Sequence, residues 1–211
     1  MKEAYRSKSA TRRAMLLGIG VALATVASPS LAHACACCSD DGERQEGTFQ
    51  LEAYELDELA KVRFGKTARM YLNAAGFDAV QGITKPTDKY QTTHTIKGTT
   101  WTFTFRDAAA GTGTLTFSLP AKGERFFVDL QDGKQGGAGG PLLYKEWRLT
   151  APVTATGIFA PTMSGKPTAR LVLQGRGNSC TSADQFTHWT LQVSGPKARY
   201  TLFGQLVPIK P

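Results

Sequence analysis

The chain has 211 residues, with 25 Lys and Arg against 17 Asp and Glu, and a formal charge of +8. The first 34 residues hold five basic side chains and one acidic one, so half of that surplus sits there and the remaining 177 residues carry only +4. The remaining basic residues are scattered rather than clustered, which excludes a nucleic-acid footprint.

Residues 1–34 read as a cleavable export signal. Lys2, Arg6, Lys8, Arg12 and Arg13 form a basic head, residues 14–27 run without a charge, and Ala32-His33-Ala34 supplies a small-x-small cleavage site. As a helix the uncharged run reaches only about 20 Å against roughly 30 Å of hydrocarbon, so a retained anchor fits poorly. Arg12-Arg13 resembles a twin-arginine export signal, although Met15 and Leu17 depart from its usual pattern. Cleavage makes Cys35 the mature N-terminus and places the protein in the periplasm or outside the cell. Contact with the membrane is then confined to export. The alternative is a lipid on Cys35, for which His33 is a poor neighbour.

Residues 35–47 form a short polar, cysteine-bearing arm, and 48–211 form a single β domain. Phe49, Leu51 and Ala53 share one face of a first strand, 56–61 can make a single helical turn, and 68–72 is a further strand. Trp101, Phe103 and Phe105 alternate with threonines, as do Leu115, Phe117 and Leu119, with a small-residue turn between them. That pattern predicts a β-hairpin. Phe126, Val128 and Leu130 begin the next strand. Residues 132–140 are too rich in glycine to be held in a sheet, and predict a flexible connector.

Strands resume over 142–150, 153–159 and 169–174. Residues 175–178 mark a turn or bulge. Trp189, Leu191 and Val193 alternate in the following strand, and 199–207 is the last. About nine strands with short links and no long helix predict an all-β antiparallel up-and-down meander closing into a barrel, lipocalin-like in architecture, because closure removes exposed edges. A two-sheet β-sandwich is the alternative.

Cys35, Cys37 and Cys38, with Cys180 far along the chain, are the most informative chemical feature. In an oxidising compartment disulfides are the default. Pairing Cys37 with Cys180 leaves Cys35 and Cys38 as a C-x-x-C bridge, which closes more easily than a vicinal one. A staple over so long a loop stabilises by on the order of 4 kcal/mol in the chain-entropy picture. The same thiolates can chelate Cu(I) or Zn(II), with His188 or Cys180 completing the shell, or can shuttle electrons by disulfide exchange. The other histidine of this region is His94.

Alternation over 144–149 puts Tyr144, Glu146 and Arg148 on one face and Lys145, Trp147 and Leu149 on the other. Glu146 and Arg148 are candidate ligand-binding residues if they face a cavity, and a solvated ion pair if they face water. Arg176 can join Glu146 or bind an anion, and Trp147 is a further candidate lining residue. No hydrolase, metalloprotease, phosphate-loop or dinucleotide signature is present. The sequence therefore points to a non-catalytic binding barrel with a cavity for a small ligand inside it, opening as an apolar pocket with a few polar groups at one end. The other readings are a thiol-based metal or redox protein, and a structural scaffold for an envelope partner.

Overall fold

The structure, a computed structural model, describes residues 42, 44–136, 140–179 and 181–208. The segment read as an export signal, Cys35, Cys37, Cys38 and Cys180, and the centre of the glycine-rich connector lie outside the described residues. Among the described residues ten strands form one sheet: β1 (Arg44–Gln50), β2 (Phe64–Met70), β3 (Lys89–Lys97), β4 (Thr100–Asp107), β5 (Gly111–Ser118), β6 (Lys122–Val128), β7 (Leu143–Gly157), β8 (Thr168–Gly177), β9 (Phe186–Gly195) and β10 (Ala198–Leu206). All pairings are antiparallel. The order β7-β5-β4-β3-β2-β10-β9-β8 returns to β7, which closes an eight-stranded barrel.

β6 and β1 stand outside that ring, and two prolines explain how. β5 and β6 lie successively along the same edge of β7, with Phe117 opposite Val153 and Glu124 opposite Arg148. Pro120 interrupts them, and Pro152 faces the same interruption from β7. Neither ring nitrogen can donate to a ladder, so both sit where no ladder bond is needed. The sheet forks there: β4 covers the far edge of β5, while β1 covers the far edge of β6. Pro152 therefore does not end a strand, and the two strands expected over 142–159 are one of 15 residues.

Two further expectations are corrected. β3 was not anticipated at all, because its inward positions include Thr92 and His94 as well as Tyr90 and Ile96. In β6 the inward residues are Gly123, Arg125 and Phe127, opposite in phase to the expected Phe126 and Val128. Phe126 lies on the outer face, where the Arg148 guanidinium stands 5.2 Å from its ring centre. β1 also begins at Arg44, inside the segment read as an arm.

The barrel interior is filled by side chains. Trp101, Phe103, Phe105, Leu115, Trp147, Leu149, Leu171, Trp189 and Leu191 are at most 1 % exposed, and aromatic rings meet at centroid distances from 4.8 to 6.5 Å. At one end the turn Ala160–Met163 caps the core, and Thr162 bonds to Gly82 O at 2.8 Å. At the other end lies α1 (Ala53–Lys61). It is longer than the single turn expected, with Glu55 in its first turn and Lys61 in its last, as the helix dipole favours. Leu59 enters the core completely, a burial that stabilises by about 1.5–3 kcal/mol.

Candidate functional site

The end of the barrel carrying α1 gathers the unusual chemistry. Three buried charges hold it together. Arg125, on the inner face of β6, lies with its guanidinium 3.9 Å from the centre of the Phe49 ring and 5.3 Å from that of Trp147, and donates to Glu55 of α1 at 2.7 Å. Glu58 of α1 accepts from the Ala183 amide at 2.9 Å and pairs with Lys61. Burial opposes ionisation of Glu58, but the hydrogen bonds from Lys61 and Ala183 outweigh it and hold the carboxyl below its ordinary range. Lys145 is fully buried and donates to Ser179 O at 2.9 Å, to Gln185 Oε1 at 3.0 Å and to Ser182 O. α1, β6, β7 and the β8–β9 loop are thus tied at one junction.

Beside this junction a cleft of about 550 Å³ opens between α1 and the β3–β4 turn. Leu56, Ala60 and Ile96 give it an apolar floor, Gly98 and Thr99 form a rim, and Asp57, Arg63 and His94 supply polar groups. The volume falls within the range of small-ligand sites. The local sequence explains the shape. Gly98, at φ +57, turns β3 into β4, and a Cβ there would meet nothing within 4 Å. Val62 ends α1 in extended backbone, leaving Arg63 at the mouth.

The Arg63 guanidinium donates to Ala60 O at 2.7 Å and to Val62 O at 3.2 Å, and belongs to no ion pair among the described residues. The His94 ring meets Phe64 edge-on at 4.9 Å. Burial, and then the charge on Arg63, lower the His94 pKa and so favour the neutral imidazole. Because the folded state disfavours the proton, the stability linked to neutral His94 is full above the ordinary imidazole pKa. It declines as pH falls through the folded-state value.

The residues singled out in the sequence do not converge here. Glu146 and Arg148 face outward and pair at 2.6 Å, and Arg148 also reaches Glu46 at 2.6 Å. The Tyr144 hydroxyl donates to Glu146 at 2.5 Å, and Gln174 donates to Tyr144 at 2.8 Å. Burial and the neighbouring carboxylate push Tyr144 up to about 12. Glu146, Arg148 and Gln174, with Arg170, Val172, Thr190 and Gln192, line a shallow polar groove of about 320 Å³ on the outer wall. Trp147 points the other way, into the packed core.

Arg176 is bidentate to Asp132 at 2.5 and 2.9 Å and donates to Leu142 O at 2.7 Å, so it fastens the start of the glycine-rich connector. The Arg176 guanidinium holds the Asp132 carboxyl far below its ordinary range. His188 is exposed on the outer face of β9 with Nδ1 2.9 Å from Thr187 Oγ1. Among the described residues no group of three or more His, Cys, Asp or Glu is placed to hold a metal ion.

Sequence reasoning missed Arg63, Arg125 and the role of Lys145. Lys145 left a visible trace, since alternation put it on the face of Trp147 and Leu149. Arg63 left none, because nothing in the sequence sets β3 beside α1. The fold and cleft define a closed antiparallel β-barrel with a small-molecule-sized opening at one end. Comparison with protein-family models, with curated proteins and with solved structures finds no match for this chain.

Proposed function

We propose that the protein is an exported, non-catalytic binding protein that takes a small molecule in the cleft between α1 and the β3–β4 turn. One observation carries the reading: a half-enclosed opening with an apolar floor and a few convergent polar groups, at the end of a barrel whose interior is already full. The ligand therefore sits at the barrel end rather than inside the ring.

The test uses the ¹⁵N-labelled mature protein and a set of neutral and charged small-molecule fragments. Binding is expected to shift the backbone amides of 56–63 and 94–99 together. Shifts clustered elsewhere, or no fragment that moves those amides, would remove the proposal.

A disulfide staple between the arm and the loop bearing Cys180, rather than a metal or redox site, is supported by the strand register. Arg44, where the cysteine-bearing arm enters the sheet, pairs with Val128; Val128 pairs with Tyr144, and Tyr144 with Arg176. Arg44 and Arg176, the latter in the strand that leads to the loop bearing Cys180, thus belong to the same end of the sheet, three strand spacings or about 14 Å apart. Mass spectrometry of the mature protein, with and without alkylation, is expected to show a chain beginning at Cys35 with two disulfides. Free thiols that become protected on adding Cu(I) or Zn(II) would instead favour the metal site.

A further inference from the structure

We infer that the ligand of this cleft is an anion with an apolar body, such as a carboxylate on a hydrocarbon or aryl group, its charge held by Arg63 and its body lying on Leu56, Ala60 and Ile96. The inference rests on the small-ligand reading above and narrows it to a chemical class.

Three features support it. Arg63 is a permanent cation at the mouth of the cleft, bonded only to the carbonyls of Ala60 and Val62 among the described residues, with guanidinium donors left to face an anion. The floor is apolar, so an anion without a hydrocarbon part would leave that surface wet and gain nothing from it. His94 stands in the same lining and is lowered in part by the charge on Arg63. An anion placed between them would offset that repulsion and favour the imidazolium, which would donate a second hydrogen bond.

Asp57 is the one carboxylate of the lining and opposes an anion, but its field acts on Lys61, one turn along α1. The groups facing His94 are Asp57 from α1, Arg63 from the α1–β2 link, Phe64 from β2 and Phe103 from β4. Protonation of His94 therefore costs least when the site is occupied by negative charge, and binding is expected to take up a proton and to tighten as pH falls toward 6.

The experiment titrates the mature protein with octanoate, octylamine and inorganic phosphate. It follows the amides of 56–63 and 94–99 and the Hε1 resonance of His94. Octanoate is expected to shift these amides and raise the His94 pKa, with octylamine and phosphate each at least tenfold weaker. Arg63→Gln is expected to weaken octanoate about tenfold or more, Arg63→Lys to restore part of the loss, and Asp57→Asn to tighten binding.

Equal binding of octylamine would overturn the anionic half of the inference and leave a small-ligand cleft standing. Equal binding of phosphate would overturn the apolar half. Octanoate that leaves these amides unmoved overturns the inference outright, while the fragment mapping above decides the broader reading separately. A His94 pKa that octanoate does not raise would show that the anion does not lie between Arg63 and the imidazole.

Discussion

Replacing Lys145 with methionine is expected to cost the fold about 3 kcal/mol. Methionine matches the lysine stem as far as Cε and fills that space in the wall of the core, so the change isolates the ammonium. What is lost is a donor to two backbone carbonyls and one side-chain carbonyl of a single loop, Ser179 O, Ser182 O and Gln185 Oε1. Its contact with the Phe186 ring, 4.7 Å from the ring centre, is also lost. Removing a buried charge returns some desolvation energy, and swapping a well-packed ion pair for hydrophobes is sometimes neutral.

Here the partners are carbonyls that remain behind. Each hydrogen bond to a charged group contributes about 1.5–3 kcal/mol, and each acceptor stripped of its donor costs about 1–3 kcal/mol unless water reaches it. The acceptors are partly accessible, so water recovers some of this, and an intermediate value results. Urea unfolding of the variant beside the unsubstituted protein measures it. A loss below about 1 kcal/mol would show that the loop holds its shape without the ammonium. The loop carries the Ala183 amide that Glu58 of α1 accepts, so K145M is also expected to disturb the amides of α1.

Much of the barrel was legible because its strongest signal is local. Trp101, Phe103 and Phe105 alternate with threonine, and in the fold every second residue of that strand is inside. The outer threonines meet across strands: Thr102 with Thr116 at 3.0 Å and Thr114 with Thr156 at 2.6 Å. The same logic failed where the inward set was chemically mixed. β3 puts Thr92 and His94 inside, and β6 puts Arg125 inside against Phe49, so apolarity no longer marks the buried face. The site was less legible still. Glu146 and Arg148 drew notice as charges among aromatics and Arg176 as a charge in a glycine-rich stretch, yet on the outer surface Glu146 and Arg148 pair with each other and Arg176 pairs with Asp132. The cleft depends on α1 lying beside the β3–β4 turn, a long-range placement that periodicity cannot register.

Gly175→Ala is expected to destabilise by about 3 kcal/mol, more than the same change two residues on. Residues 175–178 read from sequence as a turn or bulge; β8 runs through to Gly177, and the register shift between Gln174 and Gly175 against β9 is the bulge-like irregularity. The shift presses the backbone of Gly175 against the incoming strand: a Cβ would lie 1.9 Å from Gln185 O and 2.8 Å from the Phe186 Cα. Those are main-chain atoms fixed by the β8–β9 ladder, so relief requires the strands to part. Overpacking of this kind costs about 1–3 kcal/mol, and more where the backbone must move.

At Gly177 the added methyl meets only the Gln185 side chain, at 1.8 Å from Oε1. That carboxamide can rotate away, but in doing so it leaves Lys145 and the Ser179 amide, so G177A is expected to cost about 1.5–2 kcal/mol, the lower part of the range for a hydrogen bond to a charged donor. Combining G177A with K145M should then cost less than the sum of the two, because both remove the same contact. Additive losses in that double-mutant cycle would mean that Gly177 acts on the strand pairing rather than through Gln185. Equal losses for G175A and G177A would mean that the close approach at the register shift is not what requires glycine there.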